Sequence, residues 1–236
     1  MKRFRVGVIG TGYIGQVHLE VLRRIPEVQV TAVMNRTPDG AETAAERFDI
    51  PKIYSDAYKL IEDSEIDVIH NCMSNNLHFD INRHAIKTGK DVLSEKPLTM
   101  DSSESAELVQ LAQKHNTVTG VNFCYRYYPV VQEAAARVRR GDAGEIRAVA
   151  GHFLQDWLAF DTDYSWRLDP AVTGKSNVMA DLGSHWCDLI QFMTGLSIVE
   201  VMAEFHTCIP VRKKSMAGTR SFSRVEGAEK TLKMFL

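Results

Sequence analysis

No stretch of this 236-residue sequence approaches the ~18 consecutive apolar residues that a membrane-spanning helix needs. The start, Met1-Lys2-Arg3-Phe4-Arg5, is basic, but the apolar run behind it is only Val6 to Ile9 and ends in a glycine turn. That is not the pattern of a secretory signal. Cysteine is scarce: Cys72, Cys124, Cys187 and Cys208 stand far apart with no C-x-x-C pair, so neither a metal site nor a disulfide framework is expected. Thiols placed this way suit core packing in a reducing cytoplasm. An excess of one charge is lacking too. With 28 Lys and Arg against 30 Asp and Glu, the net charge of −2 gives no electrostatic reason to expect nucleic acid or a membrane surface as a partner. No internal repeat is visible.

What is present is an alternation of apolar, β-branched runs with helical patterns. Phe4 to Ile9, Val28 to Met34, residues 66–70, Val92-Leu93 and residues 117–123 read as strands. Between them, residues 13–24, 39–48, 79–87 and a stretch up to His115 read as helices. The last opens on Asp101 with Glu104 three residues on, a capping-box arrangement. Such alternation predicts an α/β fold, a doubly wound parallel sheet covered on both faces. After residue 124 the rhythm changes to a helix over 128–140, an alternating stretch over 145–155, an irregular run, a helix over 181–194 and a second strand over 198–206. We therefore expect an N-terminal domain over 1–123, followed by a partial α+β open-sheet domain over 124–236.

Between the first strand and first helix lies Gly10-Thr11-Gly12-Tyr13-Ile14-Gly15. In such a loop the first glycine permits the tight turn and the second lets backbone approach a pyrophosphate. The third lets helix and strand close up, and the helix N-terminus offers unpaired N–H groups. An acidic residue that grips the ribose 2′-hydroxyl of NAD is expected about 20 positions on. It is missing: Asn35 stands there, followed by Arg36. A guanidinium in that place can take a 2′-phosphate, so NADP is the preferred cofactor and NAD the alternative.

After the fifth strand comes Ser94-Glu95-Lys96-Pro97, and downstream Asp181-x-Gly183-x-His185-x-x-Asp188. With the glycine loop, and with Asn75 and His78 in Asn75-Asn76-Leu77-His78, these motifs resemble the Gfo/Idh/MocA oxidoreductases. Met73 and Ser74 replace that family's usual Thr-Pro, and Thr173-Gly174-Lys175-Ser176-Asn177 replaces its run of glycines. The resemblance implies a Rossmann domain followed by a mostly antiparallel substrate domain, and hydride transfer between a nicotinamide and a secondary alcohol of a sugar, sugar derivative or inositol. It implies Lys96, Asp181 and His185 as catalytic groups converging opposite the glycine loop. Asn75, His78, Glu95 and Lys96 would lie along the cofactor, a cis bond would join Lys96 to Pro97, and Tyr125 and Arg126 would face the substrate. Trp166 and Arg167, in the irregular stretch before His185, are further candidates for the substrate side or else packing residues. Asp181 and His185, spaced i, i+4, share one face of a helix, or else Asp181 caps that helix while His185 packs in the core. His18 reads as a structural residue rather than a ligand.

The end of the sequence fits this reading less well. From Val211 on, seven basic residues stand against two acidic ones without clear strand alternation, so the tail over 210–236 is expected to be solvated and disordered. The substrate domain looks incomplete, which predicts either a homo-oligomer paired through its sheet or a protein that binds NADP without turnover.

Overall fold

A computed structural model of the chain describes residues 3–215, 223–224 and 229–233, in two compact units, Met1–Asn122 and Phe123–Leu236. The first unit is a six-stranded parallel sheet of β1 (Phe4–Ile9), β2 (Val28–Met34), β3 (Lys52–Tyr54), β4 (Val68–Asn71), β5 (Asp91–Ser94) and β6 (Thr119–Val121). Their order is β3-β2-β1-β4-β5-β6. Strand order therefore reverses between β1 and β4, where the carboxyl ends of open α/β sheets part to admit a ligand. The crossovers are α1 (Tyr13–Leu22), α2 (Pro38–Phe48), α3 (Ala57–Glu62), α4 (Asn75–Lys87) and α5 (Ser102–His115).

The two-residue period of β1 divides the core. Val6 and Val8 pack with Leu19, Leu22, Ala44 and Ala45, whereas Ile9 packs with Leu60, Ile61, Ile81 and Ile86. Each fully buried aliphatic side chain of this kind contributes about 1.5–3 kcal/mol. Gly7 belongs to the second face, where a Cβ would lie 2.5 Å from Leu60 Cδ2, so the glycine leaves room for the Leu60 side chain of α3. Asp101 caps α5 by accepting the Glu104 amide at 3.0 Å, and the Glu104 carboxylate accepts from Met100 N at 3.2 Å. The strand β3 and helix α3 were not foreseen, because three and six residues are too few to show a period.

In the second unit α6 (Pro129–Arg140) packs against α8 (Ser184–Thr194), with the four-residue α7 (Pro170–Thr173) between them in sequence. Two short antiparallel pairs complete it: β7 (Asp163–Tyr164) with β9 (Ser223–Arg224), and β8 (Val211–Ser215) with β10 (Glu229–Lys233). Two expectations need correction. Residues 145–155 and 198–206 form no strand, because neither finds a ladder partner among the described residues and most of their side chains lie in solvent. Nor is the start of the tail disordered. Arg212, 7% exposed, is buried because its guanidinium donates to the carbonyls of Leu158, Phe160 and Asp163 at 2.7–3.0 Å, while the Lys213 amide bonds to Asp161 O. The rest of the predicted basic tail, 216–222, 225–228 and 234–236, lies outside the described residues.

Candidate cofactor site and active site

The glycine loop leaves β1 at Gly10, whose φ of +94° suits a residue without a side chain, and a Cβ there would lie 2.7 Å from Cys72 O. A Cβ on Gly15 would lie 1.9 Å from Gly10 O, so the first turn of α1 closes directly onto the loop. A Cβ on Gly12 would meet nothing within 4 Å, and Gly12 N-caps α1 without any side-chain cap. Open space above uncapped amides is what a pyrophosphate requires, so these residues fit a dinucleotide. Thr11 is buried and donates to Gly40 O at 2.8 Å, Tyr13 is exposed, and Ile14 packs into the core behind the loop.

At the end of β2, the Asn35 amide donates to Thr37 Oγ at 3.3 Å. A side chain on Gly40 would lie 2.1 Å from that amide nitrogen, so a glycine at the start of α2 makes room for Asn35. Arg36 beside it is exposed.

The turn after β5 is held from several directions. The Lys96–Pro97 peptide is cis, as expected. His78, on the first turn of α4 and 1% exposed, presents Nδ1 to Pro97 O at 2.6 Å and Nε2 to Met73 O at 3.0 Å. Burial outweighs those two acceptors and holds its pKa below the usual histidine value. Asn75, the first residue of α4, is buried as well, so the helix starts on schedule although Met73-Ser74 replace Thr-Pro. Behind the turn runs a line of buried amides that the sequence did not single out. Asn71 donates to Asn82 Oδ1 at 2.8 Å and Asn82 to Ser94 Oγ at 2.9 Å, tying β4, α4 and β5 together.

Glu95 points into the unit. Its carboxylate accepts from Asn122 Nδ2 at 2.5 Å and lies 3.0 Å from His18 Nε2. Burial alone would raise its pKa, but the bonds from His18 and Asn122 outweigh it and the pKa is lowered. His18 Nδ1 in turn lies 3.0 Å from His70 Nδ1. Burial, helped by the neighbouring His18, holds the His70 pKa at about 4.

The sign of the resulting pH effect follows. Between 6.5 and about 4 the unfolded chain binds a proton at residue 70 that the folded chain refuses, so folding stability falls as pH falls through this window. A drop of that size corresponds to about 3 kcal/mol. Urea unfolding at pH 7, 5.5 and 4.2 should show the unaltered chain losing more stability than His70→Gln over the same interval. Parallel losses would remove His70 as the cause.

In the second unit, His185 lies on the first turn of α8, 6% exposed, with Tyr125 tilted against it at 4.4 Å between centroids and Phe123 and Phe153 edge-on. Asp181 does not cap α8. It lies inside a π-helical turn, Met179–Gly183, that feeds the helix, and turns of this kind recur at functional positions. Its carboxylate is 3.4 Å from Arg167 Nε, and that guanidinium stacks over Trp166 and Trp157. Within this unit the structure therefore brings Arg167, Trp166 and Asp181 together, and Tyr125 with His185. Arg126 is engaged elsewhere: its Nε reaches both Asp188 oxygens, at 2.9 and 2.7 Å, and fixes α8 three residues beyond His185. Among the described residues no group of His, Cys, Asp or Glu side chains could hold a metal ion, and no helix is long and apolar enough to cross a membrane.

Two family models match this arrangement: an oxidoreductase family with an NAD-binding Rossmann fold over residues 4–123, and a GFO/IDH/MocA C-terminal domain over 131–231. The chain belongs to the Gfo/Idh/MocA oxidoreductase family. It is 30% identical to levoglucosan dehydrogenase of Pseudarthrobacter phenanthrenivorans, over 97% of this chain and 60% of that protein. To myo-inositol 2-dehydrogenase of Thermotoga maritima it is 26% identical, over 85% of this chain and 58% of that one. Among solved structures, an oxidoreductase domain protein from Kribbella flavida superposes with a TM-score of 0.86 at 29% identity, covering 90% of this chain and 59% of that one. A levoglucosan dehydrogenase in complex with NADH and levoglucosan gives 0.82 at 29% identity, covering 89% and 59%. The chain thus spans about 60% of the length of these four proteins.

Proposed function

We propose that the chain is an NAD(P)-dependent dehydrogenase that acts on a secondary alcohol of a sugar, sugar derivative or inositol. The observation that carries this is the open space over Gly12 at the switch point of the sheet, with Lys96 fixed at the end of β5 on the same carboxyl edge. Gly10 to Gly15, Asn35, Arg36, Asn75, His78, Glu95 and Lys96 form or brace the cofactor site, within a dinucleotide domain over 1–123. A bound nicotinamide supplies the hydride acceptor. Lys96, as an ammonium, stabilises negative charge developing on the carbinol oxygen. His185 takes the hydroxyl proton, a task that suits an imidazole near neutral pH. Asp181 and Arg167 hold the substrate's other hydroxyls, with Trp166 and Tyr125 offering flat faces to the ring and Arg126 keeping α8 in place. The domain over 124–236 carries these contacts and the pairing into a homo-oligomer. Four cysteines without a disulfide suit a cytoplasmic protein. Calorimetric titration with NADH and NADPH, then turnover on a panel of cyclitols and anhydrosugars, tests this reading. No nucleotide binding would overturn it.

Cofactor choice follows from β2. With no carboxylate at position 35 to repel a 2′-phosphate and Arg36 exposed beside it, NADP(H) is preferred. Arg36→Ala should weaken NADP(H) about 10- to 100-fold, the worth of a charge-assisted hydrogen bond, and NAD(H) hardly at all. Equal losses would show that Arg36 does not read the 2′-phosphate. One observation favours a second reading, cofactor binding without turnover: residues 145–155 and 198–206 have no ladder partner among the described residues, which leaves the described part of the second unit little sheet to brace a substrate. Tight nucleotide binding with no product from the panel would select it.

A further inference from the structure

We propose that His18 is a positioning residue for Lys96, acting through Glu95 and coupling the glycine-loop helix to the lysine turn. The inference rests on the reading of Lys96 as a group that acts on the substrate. His18 follows Gly15 by three residues on α1, so it belongs to the same rigid element as the loop amides. It is 7% exposed, and its ring is engaged at both nitrogens, by Glu95 on one side and His70 on the other.

Chemistry assigns the hydrogens. An ionised carboxylate only accepts, so the 3.0 Å contact to Glu95 places a hydrogen on His18 Nε2. Asn122 Nδ2 donates to the same Glu95 oxygen, and Glu95 immediately precedes Lys96 in the chain. Glu95 N bonds to Asn71 O, so the chain is still extended where it leaves β5, and neighbouring side chains project to opposite sides. Anchoring Glu95 inward therefore directs Lys96 outward. On the far side of Lys96, Pro97 O is held by His78. The lysine is thus flanked, one residue before and one after, by groups tied to buried imidazoles.

Packing alone does not call for this cluster. A charged, four-membered polar group buried between helix and sheet gains less than apolar side chains of the same volume would. Its members converge on the carboxylate of the residue that directly precedes Lys96, and that gives the cluster a task.

The test uses the full chain and three variants, His18→Phe, His18→Gln and Glu95→Gln, with circular dichroism to confirm folding. The first readout is the acylation rate of Lys96 by an amine-reactive ester, measured by peptide mass spectrometry against the exposed Lys87 and Lys114. Loss of one charge-assisted hydrogen bond should change the Lys96 rate about tenfold in His18→Phe and Glu95→Gln, with both reference lysines unchanged. His18→Gln, which keeps an N–H donor for Glu95, should restore it. The second readout is kinetic: in the same two variants kcat should fall by more than the KM for NADP⁺ changes. An unchanged Lys96 rate in a folded His18→Phe, or in Glu95→Gln should the first not fold, overturns the proposal. If Lys96→Met keeps full turnover, the functional reading fails instead, and the acylation rates still judge the role of His18.

Discussion

Gly15→Ala is expected to cost the chain about 3 kcal/mol and to abolish dinucleotide binding, whereas Gly12→Ala should fold normally and bind poorly. The difference lies in what each new methyl group meets. At position 15 it would sit 1.9 Å from the carbonyl oxygen of Gly10, a backbone atom with no rotamer to escape into. Relief requires α1 to lift off the loop, which also opens the packing of Leu19 and Leu22 on Val6 and Val8. At position 12 nothing lies within 4 Å, and φ is −67°, a value alanine adopts freely. The methyl group there intrudes only on a ligand. Keeping a pyrophosphate off the loop amides forfeits about 1.5–3 kcal/mol per charge-assisted bond, or about 10- to 100-fold in affinity. Thermal unfolding and NADH titration of the two variants separate these outcomes. A Gly15→Ala chain with unaltered melting temperature and affinity would show that the turn is looser than its geometry states.

Much of the first unit was legible because its signals are local. The run Val6 to Ile9 is buried on both faces, Gly15 answers a contact five residues back at Gly10, and Asp101 with Glu104 reports a helix start directly. The second unit was read less well because alternation states which face a residue would take, not whether a partner exists. Residues 145–155 alternate as a strand should and yet have no ladder among the described residues. Arg212 shows the opposite failure. Its charge reads as solvent, but three backbone carbonyls 49 to 54 positions away supply the acceptors that allow it inside. Asn71, Asn82 and Ser94 were invisible for the same reason: polar residues in an apolar context mean nothing until their partners are known. The motif around Glu95-Lys96-Pro97 was recognised by resemblance, whereas the side chains that hold it, His18 and Asn122, carry no signal in sequence beyond being polar in apolar surroundings.

Lys96→Met should lower kcat by about two to three orders of magnitude, the usual cost of removing one preorganised donor from a developing oxyanion. Methionine keeps the length and apolar stem of the side chain and removes only its charge and hydrogens. The turn itself should survive, since its anchors are the Glu95 carboxylate and the Pro97 carbonyl rather than the ammonium. NADH affinity should therefore stay within about threefold, because on the proposed reading the pyrophosphate is held by loop amides on another strand. His185→Gln makes the matching test in the second unit. Glutamine occupies similar space beside Tyr125 and Phe123 but cannot accept and return a proton near neutral pH, so a loss of about 10²–10⁴-fold is expected. If both residues serve one transition state, the double variant should lose far less than the product of the two single losses, as groups that act as a unit do. Losses that multiply would assign the two residues to separate steps. Turnover within about threefold of the unaltered chain in Lys96→Met would remove the lysine from the chemistry altogether.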